Sequence, residues 1–303
     1  MGKQQWCLRV NRQGAETVRR TLLDEGVLDK RLRIRPDGDD LLFPVISECE
    51  GSMMAEFEEL YQRAPLPRHE LIGGIAILAE DDPAGAAAII ADRPSVHTVL
   101  LAESAVEGEF RTKRFRLLAG EETTATIHTE YGRTFRIDLE KAYFSARLAS
   151  ERQRITEMMH DGEEVLDMFA GVGPFAVMLA EKAGMIWACD LNPDAVSLLI
   201  ENISRNRVSN VIPILADAAS LPEVCGRQFD RVIMNLPLMA ERFLPAASKI
   251  CRSGGTIHFY ALVADEDEDT PLLNRIPIKS VEKRFVRSYA PGRSHVVYDI
   301  VVE

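Results

Sequence analysis

The chain reads as an α/β protein: a mostly parallel sheet finished by a C-terminal antiparallel hairpin, preceded by two smaller α/β or α+β parts. Three observations predict this class. From about residue 145, short apolar runs alternate with helical patterns at the spacing of βαβ units. The run VLDMFAGVG (165–173) sets a glycine turn directly after an apolar segment, as expected where a backbone must approach a cofactor closely. The tail IKSVEKRFVRSYAPGRSHVVYDIVVE reads as two strands joined at Ala290-Pro291-Gly292-Arg293.

The elements follow in order. Residues 5–10 alternate as a strand, and Gly14 to Glu25 has helical spacing with Val18, Leu22 and Leu23 on one face. A polar turn, PDGDD at 36–40, precedes the apolar stretch LLFPVI, closing a first part over residues 1–60. Residues 51–68 predict a short helix, then a linker at Pro65 and Pro67. In the middle part, 67–144, IGGIAIL and TVLLAE read as strands around an Ala-rich helix at 84–92. ATIHTEYGRTFRIDL then reads as a hairpin turning near Tyr131-Gly132, with Phe135, Ile137 and Leu139 on one face. The last part, 145–303, predicts strands at 164–168, 186–190, 211–215, 230–235 and 255–260, with helices between them. Asn192-Pro193 supplies a helix start, a capping side chain followed by proline in the first turn. Ser253-Gly254-Gly255 is expected to end the helix before the fifth strand. There is no internal repeat.

Composition bounds the function classes. With 303 residues, 46% hydrophobic and 27% charged, the chain can bury a core, and wholesale disorder is excluded. Charges interrupt every apolar run, so no membrane span and no membrane partner are expected. The start MGKQQWCLRV lacks the apolar core of a signal peptide. The five cysteines (Cys7, Cys49, Cys189, Cys225, Cys251) are scattered without a Cys-x-x-Cys pair. They predict no metal site, no disulfide framework and a reduced, cytoplasmic compartment. The net charge of −11 argues against nucleic acid as a sum, yet the distribution is uneven. Residues 1–35 hold nine basic residues against four acidic ones, and further clusters lie at Arg111–Arg116 and Lys279–Arg293. Solvated faces on an acidic protein are the plain alternative.

Three signals carry chemistry. The first is Asp167, Phe169, Gly171 and Gly173, a turn for the cofactor backbone whose GVGPF does not complete Gly-x-Gly-x-x-Gly. Its alternative is a purely structural strand-to-helix turn. The second is a carboxylate at the end of each of the next two strands. Asp190 suits a ribose diol or a helix cap; Asp217 suits an adenine amino group or a surface turn. The third is Asn235-Leu236-Pro237 closing the run RVIMN, placed to face a reacting group. Together they point to an S-adenosylmethionine-dependent methyltransferase.

The segments GEFR (108–111), LLAGEETTATIH (117–128), AYFSARLASER (142–152), DMFAGVGPF (167–175), RVIMNLP (231–237) and RSYAP (287–291) occur in one chain, behind LRVNRQGAETVRRTLLDEGVLD. On these the chain resembles the archaeal and eukaryotic tRNA (guanine-N1)-methyltransferases that act on the guanosine 3′ of the anticodon, position 37. The resemblance covers nearly the whole chain. It implies a Rossmann-like class I methyltransferase domain behind a middle domain and a small N-terminal domain that recognises the tRNA outer corner. It also implies a monomer that uses S-adenosyl-L-methionine and meets the tRNA anticodon loop. By position it assigns Glu151 as general base, Arg111 as the group stabilising O6, Asn235 as orienting the base, and Tyr143 and Arg147 as cofactor-side residues. The chain departs from the family pattern at Ala146, Ala149, Ser150 and Leu238, which leaves the charged positions intact.

The residues alone read more plainly. Glu151 stands four after Arg147 and three before Arg154, the spacing of a surface helix ion pair. Arg111 reads as solvated or phosphate-contacting, Arg147 as a phosphate ligand or a partner of Glu151, and His128 as a strand histidine. Two further functions compete: a wyosine-pathway tRNA transferase that moves the aminocarboxypropyl group or methylates a wyosine intermediate, and a non-catalytic tRNA-binding protein on a methyltransferase scaffold.

Overall fold

A computed structural model describes residues 2–59, 65–104, 108, 112–264 and 276–303. The chain divides into two compact units, Met1–Pro65 and Leu66–Glu303.

The first unit is built on β1 (Lys3–Asn11), α1 (Ala15–Asp24), β2 (Arg35–Asp37), β3 (Asp40–Pro44) and β4 (Met53–Phe57). The sheet order is β2-β3-β1-β4, with antiparallel pairing throughout. One face closes over Cys7, Leu32, Leu42, Ala55 and Phe57. The other packs Leu28, Phe43 and Val45 against Ala15 and Leu22 of α1, with Val18 and Leu23 half-buried beside them. Where a short helix was expected in 51–68, the described residues form strand β4. The Met53, Met54 and Phe57 spacing imitates a helix. The neighbouring strand β1 instead draws the segment into register, Cys7 opposite Met53, and buries Ala55 and Phe57 on alternation.

The second unit opens with β5 (His69–Ile72), β6 (Ile75–Leu78), α2 (Pro83–Asp92), β7 (Thr98–Ala102) and β8 (Phe115–Gly120), a sheet of order β5-β6-β7-β8. The expected single strand IGGIAIL is therefore a hairpin broken at Gly73-Gly74. Gly73 has φ +55°, and a Cβ there would collide with the Ile127 carbonyl oxygen. Only glycine lets the turn press against the next hairpin, where the Gly74 amide donates to Thr126 Oγ1 at 2.9 Å. That hairpin is β9 (Ala125–Glu130) and β10 (Arg133–Asp138), turning at Tyr131-Gly132, with Phe135, Ile137 and Leu139 buried as the alternation predicts.

The remainder is the large sheet. Its elements are α3 (Ala149–Met158), β11 (Glu164–Asp167), α4 (Pro174–Leu179), β12 (Met185–Asp190), α5 (Pro193–Arg205) and β13 (Val211–Leu215). After these come α6 (Leu221–Val224), β14 (Phe229–Met234), α7 (Leu244–Ile250), β15 (Cys251–Ala264), β16 (Ile278–Ala290) and β17 (Arg293–Val302). The order is β13-β12-β11-β14-β15-β17-β16. β11 to β15 run parallel, and β17 enters antiparallel between β15 and β16. This is the doubly wound α/β sheet with a terminal hairpin that the sequence predicted. Its central strands read as continuous apolar runs because both faces are covered. One face packs on α6 and α7, the other on α3, α4 and α5.

Ser253-Gly254-Gly255 does not end a helix. It lies inside β15, where four residues, Arg252 to Gly255, stand opposite Asp230 alone. Gly254 takes φ +77°, and a Cβ on Gly255 would crowd the Asp230 carbonyl oxygen at 2.9 Å. The glycines make a bulge.

Asn202 and Asn206, one turn apart on α5, tie that helix to the edge of β10. Asn202, fully buried, accepts from the Arg136 amide at 2.6 Å and donates to the carbonyls of Arg136 (3.0 Å) and Val172 (2.9 Å). Asn206 accepts from the Thr134 amide at 2.9 Å and donates to its carbonyl at 2.7 Å. Two side chains thus satisfy an edge strand as a neighbouring strand would.

Candidate functional site

The site is a cleft at the carboxyl ends of β11 to β14, where doubly wound sheets bind their ligands. The turn after β11 forms its floor. Met168 and Ala170 are fixed by amide bonds to the Ile233 and Cys189 carbonyls at 3.0 and 2.8 Å. Gly171 takes φ +55° and Gly173 φ +87°. A Cβ on Gly173 would strike Leu199, so this glycine sets how closely α5 packs on the turn. Pro174 then opens α4 at a position that needs no amide donor.

Asp190 ends β12 in the cleft wall. Its Oδ2 accepts from the Gly171 amide at 2.7 Å and its Oδ1 from the Asn192 amide at 2.9 Å. Burial raises its pKa, against the pull of these backbone donors. The cap of α5 is Asn192, whose Oδ1 accepts from the Asp194 amide at 3.0 Å. Asp217 follows β13, lines the same cleft, and accepts from the Ala219 amide at 2.9 Å. Asn235 follows β14 and lines the opposite side, with Phe169 packed edge-on to Phe243 at 5.0 Å. Tyr143, Phe144 and Ser145 form the remaining wall.

The cleft therefore gathers Tyr143, Phe169, Gly171, Asp190, Asp217 and Asn235. Asp167 lies beneath it, 1% exposed, with Oδ2 buried and unpartnered. Burial pushes its pKa up to about 7, with Asp190 adding to the rise and Phe169 and Arg152 opposing it. Gly173 acts through packing behind the floor. Arg147 lines a second cleft that shares Tyr143, Phe144 and Ser145 with the first, and pairs with Glu70 at 3.1 Å, not with Glu151. Lys113, Arg287 and Tyr289 line that second cleft too. Arg111 lies outside the described residues.

Glu151 belongs to the first turn of α3, the helix that follows the shared wall. Its partner is Arg154, as its spacing predicted, but the pair is no surface pair: the side chains are 12% and 14% exposed. Glu151 Oε2 accepts from Arg154 Nε and Nη2 at 3.1 and 2.9 Å and from the Tyr260 hydroxyl at 3.1 Å. His128 is a strand histidine; it accepts from the Gly73 amide at 3.2 Å.

Sequence reasoning missed Arg152. It is 1% exposed, lines the cofactor cleft, and donates to both Glu130 oxygens at 2.5 and 2.7 Å and to the Ser145 carbonyl at 3.1 Å. Its guanidinium lies 5.6 Å from the Phe144 ring and 5.7 Å from Phe175. These partners make it a strut under the Tyr143–Ser145 wall. Only its adjacence to Glu151 could have singled it out.

The residues present fit S-adenosylmethionine. Asp190 spends two of its lone-pair positions on backbone amides, and the others remain for a ribose diol. The Phe169–Phe243 pair and Leu236 supply apolar surface for a base. Among the described residues, no cluster of three or more His, Cys, Asp or Glu side chains could hold a metal ion, and no helix is long and apolar enough to cross a membrane.

Comparison with known proteins identifies the family. Residues 126–285 match the TRM5/TYW2 methyltransferase domain, and residues 7–53 the tRNA methyltransferase 5 N-terminal domain. The tRNA (guanine(37)-N(1))-methyltransferase Trm5b of Pyrococcus abyssi is 38% identical over 98% of both chains. Its crystal structure superposes with a TM-score of 0.81, covering 98% of this chain and 99% of that one. The Trm5b of Methanocaldococcus jannaschii is 33% identical, again over 98% of both chains. An aminocarboxypropyltransferase of the same organism, named for 4-demethylwyosine(37) of tRNA(Phe), is 34% identical over 78% of this chain and 98% of its own. The chain belongs to the TRM5/TYW2 methyltransferase family.

Proposed function

We propose that the chain methylates N1 of guanosine 37 in tRNA, with S-adenosylmethionine as the methyl donor. The observation that carries this is the pair of clefts sharing the Tyr143–Ser145 wall. One presents a carboxylate, a glycine turn and an aromatic edge to the cofactor. The other presents Lys113, Arg147 and Arg287 beside Tyr289, a combination suited to an RNA backbone and an unstacked base. A loop nucleotide extruded from its stack enters from the basic cleft and meets the cofactor where the two clefts share Tyr143 to Ser145.

When bound, S-adenosylmethionine supplies an electrophilic methyl carbon on a sulfonium. Guanine N1 carries a proton and is a poor nucleophile until it leaves. Glu151 accepts that proton as the N1–methyl bond forms and the carbon–sulfur bond breaks, and later returns it to solvent. Negative charge gathering on O6 is met by Arg111, a role carried by the position of that residue in GEFR. Asn235, which lines the cleft, orients the base edge. Tyr143 borders both clefts and holds cofactor and base in line. The enzyme acts as a monomer in a reducing, cytoplasmic setting; its five cysteines are free thiols.

The test uses cofactor labelled on the methyl carbon and, separately, on the aminobutyrate portion, with tRNA carrying guanosine or adenosine at position 37. Methyl label recovered as 1-methylguanosine from the guanosine tRNA alone is the expected result. Aminobutyrate label on a wyosine-precursor tRNA would move the protein to the sister transferase. That reading is less favoured because the Trm5b relatives match this chain end to end, whereas the aminocarboxypropyltransferase matches 78% of it. Glu151→Gln should lower single-turnover methyl transfer by about 100-fold or more with cofactor affinity unchanged. A rate near wild type would remove Glu151 from the role of base.

A further inference from the structure

Behind Glu151, a chain of charged side chains runs through the sheet. Arg154 Nη1 donates to Asp299 Oδ2 on β17 at 2.6 Å, and Asp299 Oδ1 meets His258 Nδ1 on β15 at 2.5 Å. His258 Nε2 meets Arg231 Nη1 on β14 at 2.6 Å, and Arg231 is paired with Glu163 at 2.6 and 3.0 Å. An arginine has no lone pair to offer, so Arg231 must donate to Nε2. That fixes His258 as the neutral tautomer with its proton on Nδ1, pointing at Asp299. Burial lowers the His258 pKa in the same sense, against the pull of Asp299. His258 is fully buried and Asp299 is 6% exposed, so this chain is a rigid anchor rather than a surface network.

Its free end is Arg154, and what Arg154 holds is Glu151. Among the described residues, every donor that reaches Glu151 converges on one oxygen: two guanidinium N–H groups and the hydroxyl of Tyr260, itself fully buried on β15. Among the described residues none donates to Oε1. A flexible glutamate is thereby locked at its last torsion, with one oxygen saturated and the other left to accept a proton. We propose that Tyr260 and Arg154 are positioning residues for Glu151, with Asp299 and His258 as their anchor, so that Oε1 is presented as the proton acceptor. This rests on the assignment of Glu151 as the base.

The groups facing Glu151 are Arg154 on its own helix, Tyr260 on β15 and, one side chain further, Asp299 on β17 and His258 on β15. Removing the tyrosine donor should therefore loosen the geometry of the base and slow proton transfer.

The experiment measures single-turnover methyl transfer to guanosine-37 tRNA, from pH 5.5 to 9, for the full chain, Tyr260→Phe, Glu151→Gln and the double variant, with cofactor and tRNA affinities measured beside it. Tyr260→Phe should slow transfer about 10-fold, the value of one hydrogen bond to a charged group. Both affinities should stay unchanged. In the Glu151→Gln background the same change should have little further effect, because the interaction is already gone. A Tyr260→Phe enzyme with wild-type rate would overturn the proposal, as would a loss fully additive with Glu151→Gln. Should thermal melting show Tyr260→Phe to be misfolded, Arg154→Lys carries the same four-way comparison, with the same two overturning results. The base assignment fails separately, by Glu151→Gln keeping its rate.

Discussion

At the residue scale, the least conventional group is Asp167, a carboxyl 1% exposed under the cofactor floor with one oxygen unpartnered. Burial lifts its pKa to about 7, above the unfolded value of 3.8. A carboxyl raised in this way suits the fold when protonated. Its contribution is fully present below about pH 4, declines as pH rises toward 7, and is constant above that. The cofactor-free protein should therefore lose about 2–3 kcal/mol relative to Asp167→Asn between pH 5 and 7. Denaturant unfolding of both proteins at pH 5, 6, 7 and 8 checks this, and parallel curves would show that the carboxyl is solvated or paired. Asp299 behaves oppositely. Burial works against ionisation, but His258 and Arg154 outweigh it and hold the group at about 2, so its contribution is lost only as pH falls below about 4.

At the scale of elements, α5 and the β9–β10 hairpin depend on one another through two asparagines. Asn202→Ala leaves the Arg136 amide and the carbonyls of Arg136 and Val172 without their partner in a buried place. Each unsatisfied group is costly, so the change should destabilise the protein by about 3 kcal/mol. Asn206→Ala, at a half-buried position, should cost about 1 kcal/mol. Equal effects of the two would rule out burial as the deciding factor. These same elements separate what was legible in the sequence from what was not. β11 to β14 were readable because strands buried on both faces are continuous apolar runs, and the hairpin because one buried face imposes strict alternation. Paired glycines were not: Gly73-Gly74 is a hairpin turn and Gly254-Gly255 a bulge, and which role glycine fills depends on the backbone lying against it. β4 was misread because its strand state comes from β1, about fifty residues earlier in the chain. In the site, Gly171, Asp190, Asp217 and Asn235 were legible because strand ends converge on the cleft by topology alone. The partners were not: Arg152 meets Glu130 across 22 residues, Arg147 meets Glu70 across 77, and Glu151 meets Tyr260 across 109.

For the whole molecule, the question is how a chain of net charge −11 would hold the tRNA proposed as its substrate. The sum misleads because the basic residues are segregated. The Met1–Pro65 unit has nine in its first 35 residues. In the other unit Lys113, Arg147 and Arg287 ring the second cleft, and Lys279, Lys283 and Arg284 stand exposed along β16. Phosphate contacts of this kind release counterions, so tRNA affinity should fall about 10- to 1,000-fold between 50 and 200 mM salt, while cofactor affinity barely changes. The two units should also separate in function. Every described residue of the cofactor cleft lies within Leu66–Glu303, which contains its own cores. A chain lacking residues 1–65 should therefore keep cofactor affinity within about 3-fold, a change below 1 kcal/mol. Its tRNA affinity should drop, and its salt dependence should become shallower, because fewer phosphates are neutralised. Filter binding across a salt series, run on both chains, reads this directly. A truncated chain with the same slope would mean that the basic N-terminal unit makes no phosphate contacts and that the second cleft and β16 hold the RNA alone.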